Sequence, residues 1–300
     1  MPFYTEAITL TENVFLLLRD LIFERTGVYF GAEKREILAD KLAPLVLERG
    51  MRSFLDYYYL LRYDPSAADE WDRVVDAISV PETYFWREVD QLQVLVNELL
   101  PQVIAGQPRE PIRIWSAACA TGEEPLTLAM LLNEAGWFER AAIEIVGSDV
   151  SPRALTIARQ GVYRERSFRS LPPHLRSRYF ELQDGRWRVD PALHRRVTWA
   201  RVNLVDDNAV AQYAAAPFIL CRNVFIYFAE DAVRRTVAQM YAHMPSPAYL
   251  FVGAAESLLK YQTRFRLQQI GGTFVYVKNA AESGNSFAFN PGARVTTPCD

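Results

Sequence analysis

Apolar residues recur every three or four positions through the first quarter of the chain. Val14, Phe15, Leu17, Leu18, Leu21 and Ile22 make one stripe, closed by Thr26 and Gly27. A second begins near Ala32, runs through Ile37, Leu38, Leu42, Leu45 and Val46, and stops at Gly50. Phe54, Leu55, Tyr58 and Leu61 predict a third helix; Trp71, Val74, Val75 and Ile78 predict a fourth. Residues 1–78 are therefore expected to form a small α-helical domain. The period then changes. Short apolar runs at 112–115, 143–147, 197–202, 218–220 and 249–252 alternate with helical stripes. That alternation predicts a doubly wound α/β sheet. Residues 264–270 and 273–278, split by Gly271 and Gly272, predict an antiparallel pair that closes it. Asp184-Gly185, between 179–182 and 187–189, is a hairpin signal, so a small β insertion is expected at about 178–196. Residues 79–92 then read as a linker, 93–280 as the sheet domain, and the Ser-, Gly- and Pro-containing 281–300 as a flexible tail.

The first strand leads into the most informative turn. Ile112 to Trp115 is followed by small residues, Ser116 to Ala118 and Ala120 to Gly122, and then by a helix opening with Glu123 and Glu124. Small side chains at a strand–helix turn let a ligand lie against the backbone, near unpaired helix N–H groups. A phosphate loop would have several glycines and a lysine; this turn has one glycine, no lysine and two carboxylates. Carboxylates suit a ligand with hydroxyls, an ammonium or a sulfonium and repel phosphate. An ordinary βα turn remains the alternative on this stretch alone.

Composition removes several classes. Half of the 300 residues are apolar, enough for a sizeable core, and the net charge of −3 argues against a nucleic-acid partner. No apolar run approaches membrane-spanning length, and the short acidic N-terminus does not resemble a signal peptide. Cys119, Cys221 and Cys299 fit no disulfide or metal pattern, and His174, His194 and His243 lack ligand spacing, so no metal is expected. The expectation is a cytoplasmic protein, not an integral membrane one.

Polar residues recur where the strands end: Glu123 and Glu124, Asp149, Asn203, then Arg222 and Asn223. In doubly wound sheets the carboxyl edge is the ligand edge, and an acidic residue ending the second strand is where ribose hydroxyls are read. The linker adds Thr83, Arg87 and Glu88 around three aromatics.

These segments resemble the chemotaxis receptor methyltransferases, the CheR family. The resemblance is carried by Thr83-Tyr-Phe-Trp-Arg-Glu88, Trp115-Ser-Ala-Ala-Cys-Ala-Thr-Gly-Glu-Glu-Pro125, Gly147-Ser-Asp-Val150, Ala158-Arg-Gln-Gly-Val-Tyr163 and Cys221-Arg-Asn-Val-Phe-Ile-Tyr-Phe228. It implies a Rossmann-like class I S-adenosylmethionine (SAM)-dependent methyltransferase sheet with a β insertion, behind an N-terminal helical domain. It implies SAM as cofactor, S-adenosylhomocysteine (SAH) as product, and glutamate side chains in the cytoplasmic helical region of a chemoreceptor as acceptors, with the enzyme a monomer. By position, Thr83, Arg87, Glu123, Glu124, Asp149, Asn203, Leu204, Arg222 and Asn223 resemble the cofactor-binding set. Glu124 matches the acidic residue at the methionine end more closely than Glu123, and Asp149 matches the ribose holder. Tyr227 resembles the tyrosine beside the transferring methyl, and Arg87 and Tyr227 are the expected catalytic residues, orienting the incoming carboxylate by hydrogen bonds. The chain departs from the family's pattern at Pro81, where Asn is common, and at Ala254, where a His precedes the Ser-Glu pair. A SAM-binding scaffold, or a methyltransferase with a target outside chemotaxis, is the competing reading. The short 182–186 turn argues against docking of a receptor tail peptide on the insertion; Arg186, Arg188, Arg195 and Arg196 instead give it a basic surface.

Overall fold

The computed structural model describes residues 8–106 and 110–279; the expected tail at 281–300 lies outside them. Helices α1 (Glu12–Thr26), α2 (Arg35–Glu48), α3 (Phe54–Tyr63) and α4 (Ala68–Ile78) pack around Phe15, Leu18, Ile22, Leu38, Leu42, Phe54, Tyr57 and Val74. Ser53 caps α3 by accepting the Asp56 N–H at 3.1 Å. Gly27 ends α1 at φ 76, with its N–H on the Phe23 carbonyl. A Cβ there would lie 2.7 Å from Val205 and 3.0 Å from Phe228, so glycine is required for backbone conformation and for space alike.

After the linker come α5 (Val89–Val94), a π turn (Leu95–Leu99) and α6 (Leu100–Ala105). Sequence alone suggests one continuous helix here. Pro101 cannot donate into the helical ladder, and the wider turn immediately precedes it. Then follow β1 (Ile112–Ala117), α7 (Glu123–Glu134), β2 (Ile143–Asp149), α8 (Pro152–Gln160), β3 (Val162–Tyr163), α9 (Pro173–Tyr179), β4 (Phe180–Gln183), β5 (Arg186–Val189) and α10 (Pro191–His194). The chain continues with β6 (Val197–Arg201), α11 (Asp207–Ala214), β7 (Phe218–Leu220), α12 (Glu230–His243), β8 (Ala248–Phe251), β9 (Arg266–Ile270) and β10 (Thr273–Lys278).

The main sheet has the order β6-β2-β1-β7-β8-β10-β9. Its first five strands are parallel; β10 runs antiparallel to both β8 and β9. Burial alternates with the pleat. Ile112, Ile114, Ile145, Phe218, Leu220, Tyr249 and Phe251 face one apolar layer. Trp115, Ala117, Val146, Ile219, Cys221, Leu250 and Val252 face the other. Covering both faces explains why these strands read as continuous apolar runs. The insertion is a three-stranded sheet, β3-β5-β4, because Val162 and Tyr163 pair with Arg188 and Trp187. That third strand, of two residues, gives no period to detect.

The helical domain is fastened to the sheet's carboxyl edge. Val28 bridges Phe228, the Tyr29 N–H donates to the Tyr227 carbonyl at 2.9 Å, and Ala229 N–H donates to the Gly27 carbonyl at 3.2 Å. Asn203 Nδ2 donates to the Arg25 carbonyl at 2.8 Å, and Arg201 pairs with Asp72.

Candidate functional site

The turn after β1 holds Ala118 at φ 54, Ala120 at φ 49 and Gly122 at φ 95. Left-handed conformations at non-glycine residues persist only where the surroundings fix them. Here Cys119 N–H donates to the Ser148 carbonyl at 2.8 Å, Ala120 N–H to Asp149 Oδ2 at 2.8 Å, and Tyr163 OH to the Thr121 carbonyl at 3.0 Å. Beneath the turn lies Trp199: a Cβ on Gly122 would meet its ring at 2.7 Å, and one on Gly147 at 2.8 Å. The turn is thus pressed onto the Trp199 ring, which also covers Gly147 of β2, and neither glycine position has room for a side chain.

Asp149 ends β2 almost buried. Its Oδ1 accepts the Ser151 N–H at 2.9 Å and its Oδ2 the Ala120 N–H. Burial raises its pKa above the ordinary aspartate value, and the backbone N–H groups only partly oppose this. Ser151 caps α8 through the Ala154 N–H and gives its own hydroxyl proton to Asp76 of α4 at 2.5 Å.

The paired glutamates diverge. Glu123 accepts from Thr121 Oγ1 at 2.6 Å and Ser167 Oγ at 3.0 Å, and burial raises its pKa. Glu124 accepts from Ser116 Oγ at 2.7 Å and from Arg222 Nη1 at 2.9 Å. Arg222 is buried and its Nη2 reaches the carbonyls of Arg87 and Glu88, at 2.9 and 3.1 Å, and Glu88 Oε2 at 3.2 Å. It works as a clamp between the linker and the end of β7. Burial opposes ionisation of Glu88, but the Arg222 charge and the Ala254 N–H outweigh it and lower its pKa.

A cavity of about 690 Å³ opens between the helical domain and the strand ends. Thr83, Glu123, Asp149, Asn203, Leu204, Asn223 and Tyr227 line it. Arg87, Glu124 and Arg222 line a smaller adjoining space of about 60 Å³, which shares Thr83, Ala118, Ala120 and Asn223 with the first. The expected set is therefore brought to one edge but split in two. Arg87 and Tyr227, both expected to orient the acceptor, line different spaces. Arg87 Nη1 donates to the Glu82 carbonyl at 2.6 Å, and its guanidinium lies 5.7 Å from the Tyr84 ring centre.

Three further residues organise this edge and were not singled out from sequence as site residues. Glu256 accepts the N–H groups of Asn223 and Gly253, each at 2.7 Å, and of Ile226 at 3.3 Å, fixing Asn223 at φ 60. Glu88 accepts the Ala254 N–H at 3.0 Å. Asp76 reaches in from the helical domain. The glutamate at the end of the Gly253–Glu256 segment was a signal for the first; nothing in the α4 stripe marks Asp76.

A volume of this size suits a nucleoside-sized ligand. Its carboxylates suit hydroxyls and a sulfonium, and Asp149 keeps acceptor capacity beyond its two backbone bonds. Residues 81–273 match the CheR methyltransferase, SAM binding domain, and residues 13–79 the CheR methyltransferase, all-alpha domain.

The chain belongs to the CheR methyltransferase family.

It is 33% identical over 274 residues to chemotaxis protein methyltransferase 2 of Vibrio cholerae, spanning 90% of this chain and 94% of that one. It is 31% identical over 271 residues to chemotaxis protein methyltransferase 1 of Pseudomonas aeruginosa, spanning 87% and 96%. Among solved structures, the magnesium protoporphyrin IX methyltransferase of Synechocystis with bound SAM shares 13% identity at a TM-score of 0.30, over 90% of this chain and 97% of that one. The CheR SAM-binding domain thus contains the turn, Asp149, Asn203 and the β7 end, while Asp76 and Gly27–Tyr29 belong to the all-alpha domain. No described helix is long and apolar enough to cross a membrane.

Proposed function

We propose that this protein transfers the methyl group of SAM to glutamate side chains in the helical cytoplasmic region of a chemoreceptor, leaving glutamyl methyl esters and SAH. The observation that carries the reading is the chemistry of the cavity's lining. Buried carboxylates line it within, arginines at its mouth, and among the described residues none that line it is a histidine. A carboxylate acceptor is ionised at neutral pH and needs no general base. An amine or hydroxyl acceptor would have to lose a proton.

Bound SAM supplies an electrophilic methyl on a sulfonium. The chain's own contribution is placement and exclusion of water, with alignment worth several kcal/mol. Asp149 takes the ribose hydroxyls, and Asn203 and Leu204 flank the base. Thr83, Asn223 and Glu123 or Glu124 hold the amino-acid end. Tyr227, pinned through its carbonyl by Tyr29, presents its hydroxyl to the acceptor. Arg87 orients the acceptor once released from its own loop. Charge is neutralised as the acceptor oxygen gains the methyl, so a cavity closed to water favours transfer.

The test is transfer of tritiated methyl from SAM to chemoreceptor-containing membranes, followed by alkali. Glutamyl methyl esters release volatile methanol. Label that resists alkali, or SAM binding with no transfer to any protein, would replace the proposal with another acceptor or with a binding role.

A further inference from the structure

The mouth of the large cavity carries arginines that are held in no ion pair among the described residues. Arg153 of α8, Arg164 and Arg166 before and within the short turn that follows β3, and Arg186 of β5 all line it, and all are exposed. Among the described residues, none of these four makes an ion pair. The nearby exposed acids are already taken, Glu82 by Arg169 and Glu165 by Arg176, while Asp76, Glu123 and Asp149 line the same cavity and make no ion pair with these arginines. Along and just after α2 several cations are held within the fold, although Lys34 before it lines the cavity with no ion pair among the described residues. Arg35 pairs with Glu36, Arg49 with Glu70, and Lys41 donates to the Ala77 carbonyl. Of the arginines that sequence assigned to a basic insertion surface, only Arg186 lines the mouth. Arg188 is bonded to Gln183, and Arg196 stacks on Phe138 at 4.3 Å.

Between these cations the mouth is apolar. Ile37 and Val80 are each 50% exposed and Tyr29 is 40% exposed, and all three line the same cavity. Large apolar side chains left open beside unpaired cations mark an interaction surface with a preference for negative charge.

We infer that this mouth, with Arg164 and Arg186 on the insertion side and Ile37 and Val80 opposite, is the docking surface for an acidic amphipathic helix of the protein substrate. The inference rests on the proposed function for the partner's identity. The apolar stripe of such a helix meets Ile37 and Val80. Its flanking carboxylates meet the arginines, and an acceptor glutamate beside that stripe enters the cavity toward Tyr227. Recognition thereby extends to the insertion, with Arg164 and Arg186 adding to the cation that Lys34 presents beside α2.

Binding and transfer are measured separately, using a soluble cytoplasmic fragment of a chemoreceptor from the same organism. For Arg164→Glu/Arg186→Glu, fragment affinity and kcat/KM should each fall at least tenfold at low ionic strength. The deficit should narrow as salt screens both proteins. SAH affinity should stay within twofold of wild type. The control is Arg140→Glu/Arg195→Glu, an equal change of net charge away from the mouth, which should leave fragment binding unaltered. The inference is overturned if the two double variants behave alike, if wild type does not bind the fragment, or if single-stranded RNA competes as well as the acidic helix. Binding by wild type without transfer would sink the proposed function and leave the docking surface standing.

Discussion

Two regions of the molecule bury carboxylates, and they treat them in opposite ways. In the helical domain, Glu70 is 0% exposed and surrounded by cations. Arg49 Nε donates to it at 2.7 Å, Arg73 Nη1 at 3.2 Å, and Tyr57 OH at 2.7 Å. Burial pushes its pKa up, but the Tyr57 hydroxyl and the two guanidiniums more than reverse this and leave it low. At the strand edge, Glu123 and Asp149 are 2% and 8% exposed. Their bonded partners are hydroxyls and backbone N–H groups, neither has an ion pair among the described residues, and burial leaves both pKa values high. A carboxylate whose charge is neutralised on the spot is a structural tie. One that is oriented but not neutralised keeps its charge for a ligand.

The largest expected effect breaks the structural tie. Glu70→Gln leaves Arg49 and Arg73 facing a neutral group and should cost roughly 2–3 kcal/mol of unfolding free energy. That is below the range for a wholly dry pair, because both guanidiniums reach water. SAH affinity of the folded fraction should not change. A binding loss equal to the stability loss would mean that Glu70 belongs to the site. Asp149→Ala should do the reverse, weakening SAH about tenfold or more, as removal of charge-assisted hydrogen bonds worth about 1.5–3 kcal/mol would. Calorimetry with unchanged affinity would remove Asp149 from the cofactor's partners.

Arg87 sharpens the comparison, since its guanidinium is held by a loop carbonyl and by no carboxylate at short range; Glu88 Oε1 is 3.9 Å away. Arg87→Ala should cut turnover roughly ten- to a hundredfold, as loss of one or two charged hydrogen bonds to the acceptor would, while leaving thermal unfolding nearly in place. If unfolding shifts as far as activity falls, Arg87 is a clamp like Arg222.

Acidification separates the two regions by sign. The folded pKa of Glu70 lies below its usual 4.5, so its contribution to stability is present above that value and lost as pH falls through the depressed one. Asp149 titrates above its usual 3.8, and a ligand held by its ionised form is released as pH falls through that raised value. SAH binding should therefore weaken before the helical domain loosens. Asp149→Asn should abolish the acid limb of binding; an identical limb in that variant would assign it elsewhere.

Elements defined by a long apolar period were legible in the sequence. The four helical stripes and the five parallel strands are of that kind, because burial on one helix face or both sheet faces writes itself into residue choice. The two-residue β3, and the π turn before Pro101, were not, since neither leaves a period. At the site, sequence pointed to the edge but not to its partition. Glu123 and Glu124 are adjacent in the first turn of α7, yet one faces the cavity and the other locks Arg222. Adjacent helical residues project about 100° apart, and no motif says which face meets a ligand. The contribution of Asp76 needed the packing of α4 on α8, a contact 75 residues long in sequence.

The smallest effect is expected at Glu123, and it tests whether a buried, uncompensated charge costs stability until a ligand uses it. With a folded pKa above its usual 4.5, the site favours the protonated form. The stability it contributes is full below that value and lost as pH rises through the raised one, so at neutral pH the ionised carboxylate opposes folding. Its place in the first turn of α7 recovers part of this through the helix dipole. Glu123→Gln keeps the shape, accepts through one oxygen, and can donate to the Ser167 or Thr121 hydroxyl, both of which also accept. The variant should equal or exceed wild-type stability by up to about 1 kcal/mol at neutral pH, and the gain should vanish on acidification toward pH 4. Weaker SAH binding together with that gain would assign the charge to the ligand. A variant destabilised at neutral pH would show that the two hydroxyl donors Thr121 and Ser167 already compensate the ion, and would erase the distinction between the turn and the helical domain.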